Sequence, residues 1–167
     1  ALRVFGWIRS GLVNITIDVG QIVPIGGMSF STAAGGAGVA WPAAILVLVS
    51  DDGETFRYVG ELRTLSARHG APPGNDIARH KFRTNALRAR GRFVRLGIVS
   101  SGPFVFCDEI EIHRGADELL NESLEGPVVG DLNAFVSERR TALALASWVS
   151  ADVAQVRRAI SSSTIDE

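Results

Sequence analysis

Two aromatic residues stand beside prolines at the starts of apolar runs. Trp41 precedes Pro42 shortly after the loop "AAGGAG", and Phe104 follows Pro103. A neighbouring proline restricts the backbone, so each ring can be held as a flat platform for an apolar ligand face. The alternative is that each ring caps the hydrophobic core where its strand begins, since tryptophan is mostly buried in proteins.

Polar side chains that could bond ligand hydroxyl or carboxylate groups concentrate in "RTNALRARGRFVR". This run contains Asn85, Arg88 and Arg90, and several guanidinium groups close together suit a ligand carboxylate. His69 lies in the Gly/Pro-rich stretch Ser66–Asp76, which is expected to be a surface loop. The alternative for the arginine run is a solvated charged face. The run therefore predicts either a surface that binds a ligand carboxylate or a solvated charged face.

The sequence gives little sign of catalysis. It contains no Gly-x-Ser-x-Gly, His-Glu-x-x-His or P-loop motif. Cys107 lies in an alternating apolar run with no motif around it, so we predict an inert packing residue. The acidic stretch 51–54 lacks the alternating ligands of an EF-hand and is better explained as a hairpin turn. We predict a noncatalytic protein.

Composition bounds the remaining classes. The 167 residues, 46% of them hydrophobic, suffice for one domain with an appendage. Lys and Arg number 17 against 18 Asp and Glu, which argues against a dedicated nucleic-acid binder. The longest apolar run, Ala40–Val49, is about half the roughly 20 residues of a membrane span. No signal-peptide pattern follows Ala1, and the missing initiator Met suggests a mature or excised fragment.

Alternating apolar residues predict about seven short strands. Val13 to Val19 alternate with polar residues, as in a half-buried strand, and a second run begins at Met28 after "GQIVPIGG". "AILVLV" is apolar on both faces and predicts a central strand that turns at Asp52-Gly53. Further strands are expected at 77–82, 91–100 and 104–113. The pattern predicts a mainly β protein, an antiparallel β-sandwich or jelly roll.

The pattern changes after Gly115. From Asp131 to Ile160 there is no proline or glycine, and apolar residues recur every three to four positions. This predicts one long amphipathic helix with Asp131 as its N-cap. We therefore divide the chain into a sandwich (1–115), a linker (116–130), a long C-terminal helix (131–160) and a tail (161–167).

Four short patterns occur together in one order: "IDVG" at 17–20, "LVSDDGETF" at 48–56, "GRFVRL" at 91–96 and "DEIEI" at 108–112. Their order and spacing resemble the discoidin-like, or coagulation-factor type C, modules of the galactose-binding-like superfamily. The resemblance covers Val13 to Gly115. The first fourteen residues do not match the segment that helps to build a calcium site in this family, and the long helix lies outside the module.

The resemblance implies an eight-stranded sandwich whose loops at one end form a shallow ligand face. The predicted order of strands places loops 32–41 and 100–106 close together at one end. Bacterial members commonly bind sugars there and accompany a polysaccharide-degrading enzyme. It thus implies a carbohydrate-binding module of a larger extracellular or periplasmic bacterial protein, with a glycan as partner. The expected ligand-binding residues are Trp41, Phe104, Arg88, Arg90, Asn85 and His69.

The resemblance also bears on metal binding. Because the corresponding strand in related modules can give a carboxylate to calcium, Glu109 and Glu111 are candidate ligands of a structural calcium ion. No other cofactor is expected. The alternative to glycan binding is a structural or protein-interaction module, whose long helix docks another domain of the parent protein or oligomerises.

Overall fold

A computed structural model describes residues 4–74 and 77–140 of the chain. The chain divides into two compact units after Gly130. The elements of the first unit are β1 (Phe5–Ile8), β2 (Leu12–Ala34), β3 (Ala44–Ser50), β4 (Arg57–Glu61), α1 (Leu62–Ser66), β5 (Ala78–Thr84), β6 (Ala89–Val99), β7 (Phe104–Cys107) and β8 (Glu109–Arg114), with 3₁₀ helices at Ala67–His69 and Asp117–Leu120.

All the strand pairs are antiparallel. The larger sheet has the order β4-β3-β6-β2-β5, with β8 also paired to β2, while β1 and β7 form a separate two-stranded ribbon. The described chain is therefore mainly β, consistent with the β-sandwich predicted from the sequence.

Strand β2 belongs to both halves of the larger sheet. Its residues 12–25 pair with β6, whereas residues 28–34 pair with β5 and residues 25–31 with β8. Two separate strands were expected here, and that prediction was wrong. The segment "GQIVPIGG" contains two irregularities of pairing, between Asp18 and Val23 and between Ile25 and Gly27, rather than a break. A bulge can absorb glycine and proline without ending a strand.

Glycines at the second irregularity allow the two halves of β2 to pack closely against their neighbours. A Cβ atom on Gly26 would lie 2.8 Å from the Cα atom of Gly115, and one on Gly27 would overlap the carbonyl oxygen of Thr84. The residues that face the core change from odd-numbered, as at Val13, to even-numbered, as at Phe30. The irregularity therefore changes which alternate side chains of β2 face the core.

Strand β3 is an interior strand of the larger sheet, one place in from the β4 edge, so the prediction of a strand inside the sandwich is confirmed. Each of its residues from Ile45 to Val49 is at most 3% exposed, so both of its faces are covered. It pairs with β4 on one side and β6 on the other. Inward side chains of β2, β3, β5 and β6 form one hydrophobic cluster. Both halves of the larger sheet thus share a single core.

The turn between β3 and β4 has the predicted chemistry. The carboxylate of Asp52 accepts hydrogen bonds at 2.8 Å from the backbone amides of Glu54 and Thr55. Gly53 has a φ of 82°, in the region that favours glycine. These hydrogen bonds hold the pKa of Asp52 at about 2, with the Thr55 amide the largest cause and the Ser50 hydroxyl the next.

The segment 104–113, expected as one strand, is two. Strand β7 pairs with β1, and β8 pairs with β2, so the chain changes partners at Asp108. The side chains of β7 alternate between its two faces: Val105 and Cys107 are buried, while Phe104 and Phe106 are half-buried. Burial raises the pKa of the Cys107 thiol to about 11, which keeps it protonated and unreactive at neutral pH.

Residues 116–130, for which a linker was predicted, are part of the first unit. The amide of Tyr58 donates to the carbonyl oxygen of Pro127 at 3.0 Å, and the amide of Val129 donates to that of Phe56 at 2.8 Å. Leu119 is buried. The segment therefore continues the sandwich by backbone hydrogen bonds.

In the second unit, residues 132–140 are helical. Asp131 caps this helix as predicted, since its carboxylate accepts the amide of Asn133 at 2.8 Å. Residues 141–160 of the expected long helix, and the tail 161–167, lie outside the described residues, so the role suggested for that helix stays a prediction. None of the helices in the described part of the chain is long and apolar enough to cross a membrane.

Candidate functional site

Two loops meet at the end of the sandwich where β3 begins. They are the segment 35–43, between β2 and β3, and the segment 100–103, between β6 and β7. A Cβ atom on Gly102 would lie 3.1 Å from the carbonyl oxygen of Gly38 and 3.5 Å from the Cβ atom of Ala40. The expected proximity of these loops is therefore present, and we call this region the Trp41 end.

A cavity of about 400 Å³ lies at the Trp41 end. Apart from the indole of Trp41, its walls carry only small or aliphatic side chains, so the polar groups there come chiefly from the backbone. The lining residues are Ala34, Gly35, Gly36, Ala37, Gly38, Val39, Ala40, Trp41 and Gly74. Positive φ values at Gly35, Ala37 and Gly38 fold this loop into a tight turn.

Trp41 is fixed by three contacts. Its indole N–H donates a hydrogen bond to the carbonyl oxygen of Pro73 at 2.8 Å. Its ring meets His80 and Phe82 edge-to-face, with centroid separations of 5.9 and 6.3 Å. The side chain is half-buried, packs against the core and also lines the cavity. Trp41 thus caps the core and also presents part of its ring to a cavity, and ligand binding by the ring stays a prediction.

Phe104 has a different position. Its ring stacks on that of Phe106, with centroids 6.4 Å apart and planes 12° from parallel. Phe106, and not Phe104, contributes to a second, apolar groove of about 240 Å³ that shares part of its lining with the first cavity. Ile77, which is 83% exposed, forms another wall of that groove. Phe104 therefore supports a groove wall, and a direct ligand contact by its ring stays a prediction.

The arginine candidates lie at the opposite end of the sandwich. Arg90 donates to the carboxylate of Asp51 at 2.9 Å, and Asp51 directly follows the last residue of β3. Trp41 precedes the first residue of the same seven-residue strand, so the two sites are separated by roughly 20 Å at 3.3 Å per residue. The structure does not bring the predicted platform and the predicted guanidinium groups together.

The guanidinium groups at that end are already paired within the chain. Arg88 forms an ion pair with Glu122, Arg90 with Asp51, and the neighbouring Arg92 with Asp18. A ligand carboxylate would have to compete with these carboxylates. The sequence did not indicate this pairing, because Glu122 lies more than thirty residues away along the chain.

Neither Asn85 nor His69 lines the cavity. The side-chain oxygen of Asn85 lies 3.4 Å from Nδ1 of His113, near the end of β8. His69 is exposed at the end of the 3₁₀ helix Ala67–His69. The expected surface loop therefore contains a short helix, and ligand binding by Asn85 or His69 stays a prediction.

Glu109 and Glu111 share a cation from the chain itself. The ammonium group of Lys81 lies 2.7 Å from Glu109 and 3.1 Å from Glu111, and the hydroxyl of Ser29 donates to Glu111 at 2.5 Å. The Ser29 hydroxyl, and then Lys81, lower the pKa of Glu111. Among the described residues no cluster of three or more His, Cys, Asp or Glu side chains could hold a metal ion. A calcium ion here would displace Lys81.

Sequence reasoning missed two features of the Trp41 end. Pro73 supplies the acceptor for Trp41, and nothing in its sequence context distinguishes it from the adjacent Pro72. His80 packs under Trp41. Its place could have been found from the alternation in "ARHKFRT", where His80 and the buried Phe82 share one face of the strand.

Comparisons with known proteins give structural matches alone. No family model and no curated protein matches the chain. The CBM32-6 module CpGH89CBM32-6 produced by Clostridium perfringens is 18% identical, with 66% of this chain and 76% of that chain covered and a TM-score of 0.44. CBM32-1 from a family 31 glycoside hydrolase from the same organism is 16% identical, with 66% and 75% covered and a TM-score of 0.47.

A third match, CpGH89CBM32-5 in complex with GalNAc-beta-1,3-galactose, is 18% identical, with 59% of this chain and 63% of that chain covered and a TM-score of 0.42. These proteins are of the type that the four sequence patterns resemble, discoidin-like modules of the galactose-binding-like kind. The chain spans 11% of a matching family 89 glycoside hydrolase.

Proposed function

We propose that the first unit is a noncatalytic carbohydrate-binding module whose glycan lies in the cavity at the Trp41 end. The observation that carries this proposal is the position of Trp41: an aromatic side chain held by Pro73, His80 and Phe82 forms part of the wall of an open cavity of about 400 Å³. An aromatic ring can pack against the C–H face of a pyranose, which makes Trp41 the central contact.

The remaining walls suit a sugar in size and chemistry. The volume falls in the range of roughly 300 to 1,000 Å³ that small-molecule sites occupy. Because the loop 34–40 consists of glycine, alanine and valine, its backbone is accessible, and peptide N–H and C=O groups can exchange hydrogen bonds with sugar hydroxyls. The proposed site therefore offers a glycan one aromatic contact and several backbone contacts, and it needs no charged side chain.

The ligand that these walls favour is neutral. The arginines expected to bind a ligand carboxylate lie roughly 20 Å away and are paired with Asp51, Glu122 and Asp18. The cavity itself is lined by no charged side chain among the described residues. A neutral sugar should therefore bind at the Trp41 end at least as well as its uronic acid.

A site of this kind should bind weakly. A shallow cavity buries little area, and sugar hydroxyls exchange water contacts for protein contacts at little net gain. Such a module works by avidity or by raising the local concentration of substrate for an attached domain. We therefore place it as an accessory part of a larger extracellular or periplasmic bacterial protein, as the sequence resemblance implies.

Affinity electrophoresis in gels that contain neutral or acidic polysaccharides, supported by a glycan array, tests the proposal. Trp41→Ala should lose at least about tenfold in affinity, the loss expected when a contact of about 1.4 kcal/mol is removed. Trp7→Ala is the matched control, because Trp7 is also partly buried against the core but lies on β1. Thermal unfolding verifies that both variants fold.

Arg88→Ala tests at which end of the sandwich the glycan binds. Its side chain is 72% exposed and its ion pair with Glu122 lies at the end of the sandwich opposite to Trp41. If Arg88→Ala abolishes binding while Trp41→Ala binds normally, the glycan lies at the arginine end and the proposal is wrong. The proposal also fails if wild type and Trp41→Ala behave alike on every polysaccharide.

A further inference from the structure

His80 lies directly beneath Trp41. Along β5 the odd-numbered side chains face outward, and His80 and Phe82 face inward. The imidazole meets the Trp41 ring at 5.9 Å and 72°, and the Phe82 ring at 4.6 Å and 78°, measured between centroids and planes. His80 therefore joins the indole to the hydrophobic core.

One nitrogen of this imidazole has no polar partner. Nε2 of His80 is buried and makes no hydrogen bond with any described residue. A neutral imidazole can leave one nitrogen as an unprotonated acceptor, whereas an imidazolium must donate from both. Protonation would place a charged N–H in this apolar contact without an acceptor, which costs free energy unless the rings separate.

The charged groups around His80 are engaged elsewhere. On β5, Arg79 pairs with Asp108, and Lys81 pairs with two glutamates of β8, all on the outward face. From α1, Arg63 donates to the carbonyl oxygens of Pro42 and Ala43. From the 3₁₀ helix, Arg68 donates to Thr84, and His69 is exposed.

None of the described residues packed around His80 offers a carboxylate that would stabilise an imidazolium. On β2, the strand that pairs with β5 at this point, the residue opposite His80 is the uncharged Thr32. Burial lowers the pKa of His80, and no neighbouring charge contributes to this shift.

We propose that His80 is a positioning residue for Trp41: its neutral imidazole keeps the indole at the cavity wall, and its protonation releases the indole. A pH-dependent Trp41 position is thus built into the Trp41 end. The consequence for ligands rests on the proposed function, since glycan affinity falls on acidification only if the glycan contacts Trp41. The movement of Trp41 itself does not depend on any ligand.

The movement is tested by NMR without a ligand. The indole N–H resonance of Trp41, assigned with Trp41→Phe, is followed from pH 7.5 to 4.5 in the full chain. We expect it to shift or broaden with a midpoint below about 6.5, the ordinary histidine value. In His80→Phe, which keeps an aromatic ring and cannot titrate, the resonance should stay constant over this range.

Substitutions of the other two histidines separate the effect of His80 protonation on Trp41 from that of general protonation. His69→Phe and His113→Gln remove the other two histidines of the chain and should leave the Trp41 titration unchanged. His80→Gln provides a second non-titrating variant in case His80→Phe does not fold. A Trp41 resonance that titrates in these His80 variants as in wild type, or that stays constant in wild type, overturns the inference.

Galactose and galacturonic acid, which differ only at C6, serve as neutral and acidic probes for affinity. Wild type should bind galactose at least about threefold more weakly at pH 5 than at pH 7.5, and His80→Phe should show no such loss. If the Trp41 resonance titrates but galactose affinity is the same at both pH values, the positioning role holds and the glycan lies elsewhere. A failure of the positioning role of His80 and a failure of the proposed glycan site therefore give different results.

Discussion

Asp18 and Arg92 form a two-point ion pair. Nε of Arg92 donates to Oδ1 of Asp18 at 2.8 Å, and Nη2 donates to Oδ2 at 2.7 Å. The same Oδ1 accepts the amide of Gly20 at 2.8 Å, where φ is 88°. Asp18 and Gly20 belong to the "IDVG" pattern and Arg92 to "GRFVRL", so two of the patterns on which the family resemblance rests are in contact. Their joint occurrence has a physical cause, because the irregular part of β2 is tied to β6.

This ion pair predicts a pH dependence of stability. The Arg92 hydrogen bonds, and then the Gly20 amide, lower the pKa of Asp18 from 3.8 to about 2. Because the folded value lies below the unfolded one, the stabilisation is present above about pH 3.8 and is lost as pH falls toward 2. Asp18→Asn should therefore lower the melting temperature at pH 7 and approach wild type near pH 2. A difference in melting temperature between wild type and Asp18→Asn that stays constant from pH 7 to pH 2 would contradict the prediction.

Arg92→Lys tests the geometry of the same pair. Lysine keeps the positive charge but cannot donate two parallel hydrogen bonds to a carboxylate. We expect a melting temperature at pH 7 between those of wild type and Asp18→Asn, measured by circular dichroism. A variant as stable as wild type would show that charge alone accounts for the effect.

Gly126→Ala should destabilise the first unit. Gly126 has a φ of 105°, and a Cβ atom there would overlap the carbonyl oxygen of Tyr58. Backbone strain of this kind costs about 1 to 3 kcal/mol, measurable as a lower free energy of unfolding in urea. Gly130→Ala is the control, since nothing lies within 4 Å of its added Cβ atom, and it should change stability by less than about 0.5 kcal/mol. Equal effects would mean that residues 116–130 behave as the loose linker expected from the sequence.

Calcium should stabilise the wild-type chain little, because the Lys81 ammonium group already lies between Glu109 and Glu111. Lys81→Met removes this cation and leaves two carboxylates facing each other, so calcium should raise the melting temperature of the variant more than that of wild type. Differential scanning fluorimetry with calcium or a chelator measures both shifts. A large calcium effect in wild type that Glu111→Gln abolishes would instead establish the glutamates as metal ligands.

Phe30 should contribute more to stability than any exposed phenylalanine. It is fully buried in the core, and its truncation to alanine should cost about 3 to 5 kcal/mol in urea unfolding. Phe5 is 70% exposed, and Phe5→Ala should stay within about 0.5 kcal/mol of wild type. If the two variants lose similar stability, the core does not lie between the two halves of the larger sheet.

Local sequence patterns predicted the elements whose structure depends on local chemistry. Strand β3 was identified because Ile45 to Val49 are apolar on both faces, and the turn was identified from Asp52-Gly53. The continuity of β2 was not, because glycine and proline indicate both breaks and bulges, and only the pairing partners distinguish the two. The division at Asp108 also depends on partners, since β7 and β8 pair with different strands.

The candidate site was predicted in part for the same reason. Trp41 could be placed at a loop because Pro42 follows it at the start of a strand. The location of Arg88 and Arg90 depends on the direction in which β6 runs, which puts its first residue beside the turn that follows β3. Their pairing with Glu122 and Asp51 is a tertiary contact that the alternation of residues along a strand does not encode.

Strand β2 has a mechanical consequence. This one strand pairs with β6 in its first half and with both β5 and β8 in its second, so neither half of the sheet can be pulled away without removing a partner from the other. Under a stretching force the sandwich should therefore rupture in a single event rather than peel in stages.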